Sequence, residues 1–170
     1  AKQPYGAEAL GLMSYSLREQ SILFTLTVEF WMTLSQAEQR NPARLQGMQE
    51  TKAAAAMLTG SALDYLGLTA QFERQDLVLY SAELAKEMPE LFIHLPSPVR
   101  AQLLERIAAF AKDHPYPEVR DNMRDLQPVL QAIQADVEKQ LAPGRNAKAP
   151  DKPLDLSPPP EGKPSGVKGL

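Results

Sequence analysis

The stretch ILFTLTVEFWMTL, from Ile22 to Leu34, decides the fold class of this chain. Apolar residues occupy its even positions, and threonine and glutamate recur at the odd ones. This period-two pattern of β-favouring residues is typical of a strand. The chain has no second run of comparable quality to act as a partner, however, and an unpaired strand leaves its backbone groups without hydrogen bonds. The segment is therefore predicted to be helical.

A helix over this stretch would be apolar on nearly every side, because Leu23, Trp31 and Leu34 add to the even positions. Such a helix is typical of an element that is packed on several sides. We therefore expect it to be either the central helix of the domain or the seam of a dimer.

Prolines divide the rest of the chain into further helices, since proline is tolerated in the first helical turn but not in a helix interior. Asn41-Pro42 and Ser97-Pro98 each read as a cap followed by proline, and Gly67 reads as a helix end. The sequence predicts an all-α fold, a bundle of about five antiparallel helices joined by short proline-marked turns. The expected helices run from after Gly6 to about Gln39, from Pro42 to Gly67, from Gln75 to Met88, from Pro98 to Lys112 and from Pro117 to Leu141.

The last 28 residues differ in composition from the rest of the chain. Seven of its fifteen prolines lie in the last 28 residues, together with glycines and lysines and very few apolar side chains. Such a composition cannot bury enough surface to offset the entropy lost on ordering. We predict a flexible N-terminus over 1–6, a helical domain over 7–142 and a disordered proline-rich tail over 143–170.

The composition and charge of the chain argue against two functional classes, nucleic-acid-binding proteins and membrane-spanning proteins. Eighteen basic and 21 acidic residues are interspersed and leave a net charge of −3, so no basic stripe is present to follow nucleic acid. No apolar run is long enough to span a bilayer, which needs about 20 residues. The chain has no cysteine, which fits the cytoplasm and the periplasm equally, and it begins at Ala1. A removed signal peptide would explain that start, and we expect a periplasmic or exported protein rather than a cytoplasmic one.

No catalytic template fits the sequence. It has no Gly-x-Ser-x-Gly elbow, no Gly-x-Gly-x-x-Gly turn and no phosphate-binding Gly-Lys-Ser/Thr loop. His94 and His114 lie beside prolines and are expected to be solvated turn residues rather than metal ligands. We therefore expect no catalytic residue, no metal and no cofactor, and an enzyme is the least favoured class.

The segment from Val28 to Leu45 resembles the ligand-sensing domain of TetR-type regulators. A helix ending Phe30-Trp31-Met32 is followed by an Asn-Pro-Ala-Arg-Leu restart, although no DNA-binding helix-turn-helix precedes it in this chain. The resemblance implies a helical pocket for an apolar ligand, lined by Phe24, Trp31, Met32 and Met57.

Two functional hypotheses remain open from the sequence. The first is a non-catalytic interaction or adaptor protein, or an accessory subunit, which docks through an apolar helix face onto a protein partner or a second copy of itself. The alternative is a bundle that binds a small apolar molecule. The candidate residues for either surface are Phe24, Phe30, Trp31, Met32 and Met57.

Overall fold

The computed structural model describes residues 2 and 4–141. This part of the chain consists of helices joined by short turns and contains no strand. The all-α prediction is confirmed. The predicted disordered tail over 143–170 lies outside the described residues. Six helices occur in the described part of the chain: α1 Gly6–Thr33, α2 Gln36–Gln39, α3 Pro42–Gly67, α4 Arg74–Phe92, α5 Ser97–Asp113 and α6 Pro117–Leu141.

The segment from Ile22 to Leu34 is helical up to Thr33, as predicted, but the first helix does not continue to Gln39. Leu34 turns to an extended conformation and Ser35 then caps a separate short helix. The Ser35 hydroxyl accepts a hydrogen bond from the Glu38 backbone N–H, and the Glu38 carboxylate accepts one from the Ser35 N–H at 3.0 Å. This reciprocal capping box explains why there are six helices rather than about five.

The other helix borders follow their sequence signals with two exceptions. The helix predicted to end at Met88 is the first, because α4 continues through Pro89 to Phe92. Asn41 Oδ1 accepts hydrogen bonds from the N–H groups of Ala43 and Arg44, which confirms the predicted start of α3. Gly67 ends that helix, as expected. Ser97, predicted to be a cap, is instead the first residue of α5, and Pro96 holds the cap position without any side-chain hydrogen bond. The N-terminus of α5 is therefore uncapped.

Helix α4 forms the centre of the bundle, because it packs against α1, α3 and α6. Its buried positions follow helical spacing and include Leu77, Leu84, Met88 and Phe92. Pro89 lies inside α4 and Pro128 inside α6 without ending either helix. The interior of the described part leaves no buried side-chain nitrogen or oxygen without a hydrogen-bond partner.

Successive long helices alternate in direction, which agrees with the predicted antiparallel arrangement. Helix α4 runs parallel to α6, because Arg74 contacts Glu118 and Ser81 contacts Asn122. Helix α3 runs parallel to α5, because Gly60 contacts Arg106 and Leu66 contacts His114. The contacts of Ser21 with Glu90 and of Phe24 with His94 place α1 parallel to α4. The short turns between α4, α5 and α6 reverse the chain each time.

Of the two expectations for the Ile22–Leu34 helix, the central position in the domain is wrong, and the dimer seam stays a prediction. Phe24 is fully buried, but Leu23, Leu26 and Phe30 are exposed, so this helix lies at the periphery and α4 takes the central position. None of the helices in residues 4–141 is both long enough and apolar enough to cross a membrane.

Candidate functional site

Helix α1 presents apolar residues on two opposite faces. Leu10, Leu17, Ser21 and Phe24 are buried and recur at helical spacing on the side facing α3 and α4. The opposite side carries a second apolar series, separated from the first by about half a turn at 100° per residue and interrupted by Glu19 between Tyr15 and Leu23. We call this series the outer stripe, and it comprises the exposed residues Leu12, Tyr15, Ile22, Leu23, Leu26 and Phe30.

The outer stripe is large for a monomer. From Leu12 to Phe30 it spans about 27 Å of helix at 1.5 Å per residue. With roughly half or more of each side chain exposed, it presents on the order of 700 Å². The largest apolar patch on a typical monomer is about 300–600 Å². The outer stripe therefore has the size of an interaction surface rather than that of scattered surface residues.

The structure separates the five candidate residues into four places. Phe30 belongs to the outer stripe, whereas Met32 lies on the same helix but off the stripe, 73% exposed. Met57 is 74% exposed on α3 and lines none of the pockets described below. Phe24 and Trp31 line one pocket, and Met32 and Met57 do not line it.

The pocket that contains Phe24 and Trp31 has a volume of about 590 Å³, and we call it the Trp31 pocket. It lies where the C-terminal half of α1 meets α3, the turn between α4 and α5, and α6. Its walls are mainly apolar, with Phe24, Val28, Trp31, Met48, Leu95 and Val137 among them. Its charged or titratable lining residues are Lys52, His94 and Arg100, and no carboxylate lines it among the described residues.

Arg100 is the least expected residue of this pocket. It is only 3% exposed, although arginine is rarely buried without a charged partner. Its Nε donates to Gln134 Oε1 at 2.6 Å and its Nη1 donates to the Leu95 carbonyl at 2.5 Å, so both acceptors are neutral. Among residues 4–141 no carboxylate lies within 4 Å of its guanidinium. The pocket thus holds a buried cation without a counter-charge.

His94 is the third titratable residue of the pocket. Its imidazole stacks on the Phe24 ring, with the ring centroids 4.8 Å apart and the planes 24° from parallel. Burial, and to a smaller extent the positive charge of Lys52, lowers the pKa of His94 below its ordinary value. Neutral His94 is therefore the preferred form in the folded protein near pH 7.

A second pocket, of about 410 Å³, lies between the N-terminal halves of α1 and α4. Its charged lining residues carry both signs, Arg18 opposite Asp76, Glu83 and Glu87. Tyr80 also lines it, but its hydroxyl donates to the Ala62 carbonyl at 2.8 Å and is already satisfied. None of these charged side chains is buried, so the pocket holds no desolvated charge comparable to that of Arg100.

The prediction that both histidines are solvated is wrong for His114. His114 is 3% exposed, its Nε2 lies 2.9 Å from the Leu66 carbonyl oxygen, and its Nδ1 accepts from the Tyr116 N–H. It joins the end of α3 to the turn after α5 and is a structural residue. In the described part of the chain, no group of three or more potential ligand side chains could hold a metal ion.

Sequence reasoning missed Arg100, yet a signal was present. Arg100, Leu103 and Ile107 recur at spacings of three and four, so the helical pattern that places the two apolar residues in the core places Arg100 there as well. A charged residue in phase with an apolar face is the informative exception on a helix.

Comparisons of this chain with models of known protein families, with characterised proteins and with solved structures find no match.

Proposed function

We propose that this chain is a non-catalytic interaction protein that docks through the outer stripe of α1, and that the surface it docks onto is the outer stripe of a second copy. The observation that carries the proposal is the exposed apolar face running from Leu12 to Phe30, directly opposite the face that packs onto the bundle.

Area supports a second copy as the occupant. A standard protein interface buries about 800 Å² on each partner. The outer stripe supplies nearly that area from one helix, before any contribution from the neighbouring helices. A homodimer interface is also the kind most enriched in apolar residues.

The requirements of two-fold symmetry also support a second copy as the occupant. A two-fold interface uses the same patch on both subunits and must be self-complementary. The two ends of the outer stripe are symmetric about residue 21, because Leu12 and Phe30 lie nine residues to either side, whereas near the axis Leu23 would face the partner's Glu19. Two antiparallel copies of α1 crossing there would place Leu12 against the partner's Phe30 and Tyr15 near the partner's Leu26.

Charge argues against a membrane as the occupant. Helices that lie on membrane surfaces are usually rich in lysine and arginine on their polar face. Helix α1 contains Arg18 as its one basic residue against Glu8, Glu19 and Glu29. This helix would be repelled by an anionic bilayer.

Sedimentation equilibrium with Leu26→Glu tests the proposal. The wild-type chain is expected to be a dimer at about 50 µM, and the variant should dimerise at least about 100-fold more weakly, because each copy would bury an unpaired carboxylate. Met32→Glu is the matched control, since Met32 is also exposed on the same helix, at 73% against 55% for Leu26, but lies off the stripe. A monomeric wild type, or equal effects of the two substitutions, would overturn the proposal.

Single cysteines test the antiparallel geometry, which is straightforward in a chain without native cysteine. Ile22→Cys lies near the expected two-fold axis and should form an intermolecular disulfide on mild oxidation. Leu12→Cys lies far from its own copy in that arrangement and should not. Efficient cross-linking at Leu12 would indicate parallel helices and contradict the proposed arrangement.

A further inference from the structure

Beyond self-association, the geometry points to a ligand site: we infer that the Trp31 pocket binds a small apolar monocarboxylate, whose carboxylate meets Arg100 and whose apolar body lies against Phe24 and Trp31. The inference rests on the charge of the pocket, the nature of its walls and its size.

The first step concerns the charge that Arg100 leaves uncompensated. A buried ion is costly unless it is paired. Among the residues that the structure describes, the only carboxylate connected to Arg100 by hydrogen bonds is that of Glu138, which accepts from Gln134 Nε2 and lies on the exposed side of α6. The guanidinium therefore contacts amide oxygens only, and a bound anion would supply the missing charge.

The second step concerns which atoms of Arg100 remain available. Its Nε and Nη1 are engaged, while Nη2 has no hydrogen-bond partner among residues 4–141. No fully buried side-chain nitrogen in that part of the chain lacks a partner, so Nη2 must reach accessible space, and Arg100 lines the Trp31 pocket. A donor of this kind at the end of a rigidly held arginine suits a carboxylate oxygen.

Other groups around Arg100 also favour the binding of an anion. Lys52 on α3 and His94 after α4 line the pocket, and no carboxylate does so among the described residues. The 17-residue helix α5 begins at the pocket with Ser97, and its cap residue makes no side-chain hydrogen bond. An uncapped helix N-terminus is favourable for an anion. Lys52 and the N-terminus of α5 thus favour negative charge at the same place as Arg100.

The apolar walls and the volume of the Trp31 pocket indicate the size and chemistry of the rest of the ligand. A pocket of about 590 Å³ lies within the roughly 300–1,000 Å³ range typical of small-molecule sites. Its aromatic and aliphatic walls would leave the polar faces of a nucleotide or a sugar phosphate without partners, whereas an alkyl chain or a flat aromatic ring would replace water against them. A single carboxylate on an apolar body satisfies both parts of the pocket.

Trp31 makes the test direct, because it is the one tryptophan in the chain and it lines the pocket. Decanoate and 2-naphthoate, titrated below micelle-forming concentrations, should each be examined for a saturable change in Trp31 fluorescence. Decanol and decyltrimethylammonium serve as neutral and cationic probes of matched length. We expect at least one carboxylate to bind, and at least about tenfold more tightly than both matched probes.

Substitutions then assign the anion site. Lys52→Gln removes an exposed charge from the pocket rim and should weaken carboxylate binding about fivefold. Lys86→Gln is the matched control, since it removes the same charge from an exposed position on α4 outside the pocket and should change nothing. Arg100→Gln should weaken binding by at least about 20-fold in protein whose circular dichroism shows it to be folded.

A nuclear magnetic resonance titration of His94 adds a readout that simple apolar adsorption would not change. A bound carboxylate near Lys52 and Arg100 should raise the pKa of His94 relative to the ligand-free protein, and decanol should leave it unchanged. The inference is overturned if neither carboxylate gives a saturable signal, if the neutral probe binds as tightly, or if Lys52→Gln and Lys86→Gln weaken binding equally. Since none of these variants lies on the outer stripe, the result is independent of whether the chain dimerises.

Discussion

Phe24 and Phe30 offer the sharpest test of how α1 is placed. The two phenylalanines are six residues apart, so a period-two segment would place both on one face. A helix rotates them about 240° from each other. In the structure Phe24 is fully buried and stacks on His94, whereas Phe30 is 61% exposed. Replacing each by alanine should therefore have very different effects.

Phe24→Ala should lower the free energy of unfolding by about 3–5 kcal/mol, from lost burial, the cavity left behind and the lost stacking. With a urea dependence of about 2 kcal/mol/M, the unfolding midpoint should fall by about 2 M. Phe30→Ala should change the stability of the monomer by less than about 0.5 kcal/mol.

Urea denaturation followed by far-ultraviolet circular dichroism measures both effects. It should be repeated at two protein concentrations, because a contribution of Phe30 to a dimer depends on concentration and the loss at Phe24 does not. Equal losses for both variants at low concentration would refute the placement of α1 argued here.

Two further predictions concern stability. Gly60→Ala should raise the free energy of unfolding by about 0.5–1 kcal/mol, because Gly60 lies inside α3 and an added Cβ would meet only Arg106 Nη1, at 3.9 Å. Thermal denaturation would measure this change. A lower melting temperature would mean that α5 packs more tightly there than described. Because the pKa of His94 is lowered in the folded state, the unfolded chain takes up the proton first as pH falls below the ordinary value of 6.5, and stability should decrease in that range. Lys52 and Arg100 are the charged groups that share the pocket with His94, and both stay protonated there. His94→Gln should flatten this dependence between about pH 6.5 and 5, and an unchanged slope in urea midpoints would contradict the assignment to His94.

The local signals in the sequence predicted much of the helical framework. Asn41-Pro42 and Gly67 set the two ends of α3 because capping and the conformational preferences of proline and glycine act within a few residues. The same local reasoning missed the Ser35 capping box, although its Ser-x-x-Glu spacing was visible. It also placed a cap at Ser97, where the preceding Pro96 holds the cap position instead.

The candidate site was only partly predictable. Phe24 and Trp31 do line a pocket, but Met32 and Met57 point to solvent, since hydrophobicity alone does not reveal which apolar side chains a helix directs outward. Arg100 could not be recognised as an unpaired buried cation without knowing that Gln134, on another helix, is its neighbour.

The sequence by itself determined that this chain is helical and where most helices begin and end, because these properties depend on contacts between residues a few positions apart. Only the tertiary structure decided that α4, not the apolar stretch from Ile22 to Leu34, occupies the centre of the bundle. A helix that is apolar on two faces can bury either one, and the choice depends on which neighbours cover it. In this chain α3 and α4 cover the face that contains Phe24, which leaves the outer stripe exposed and encloses Arg100 beside the Trp31 pocket.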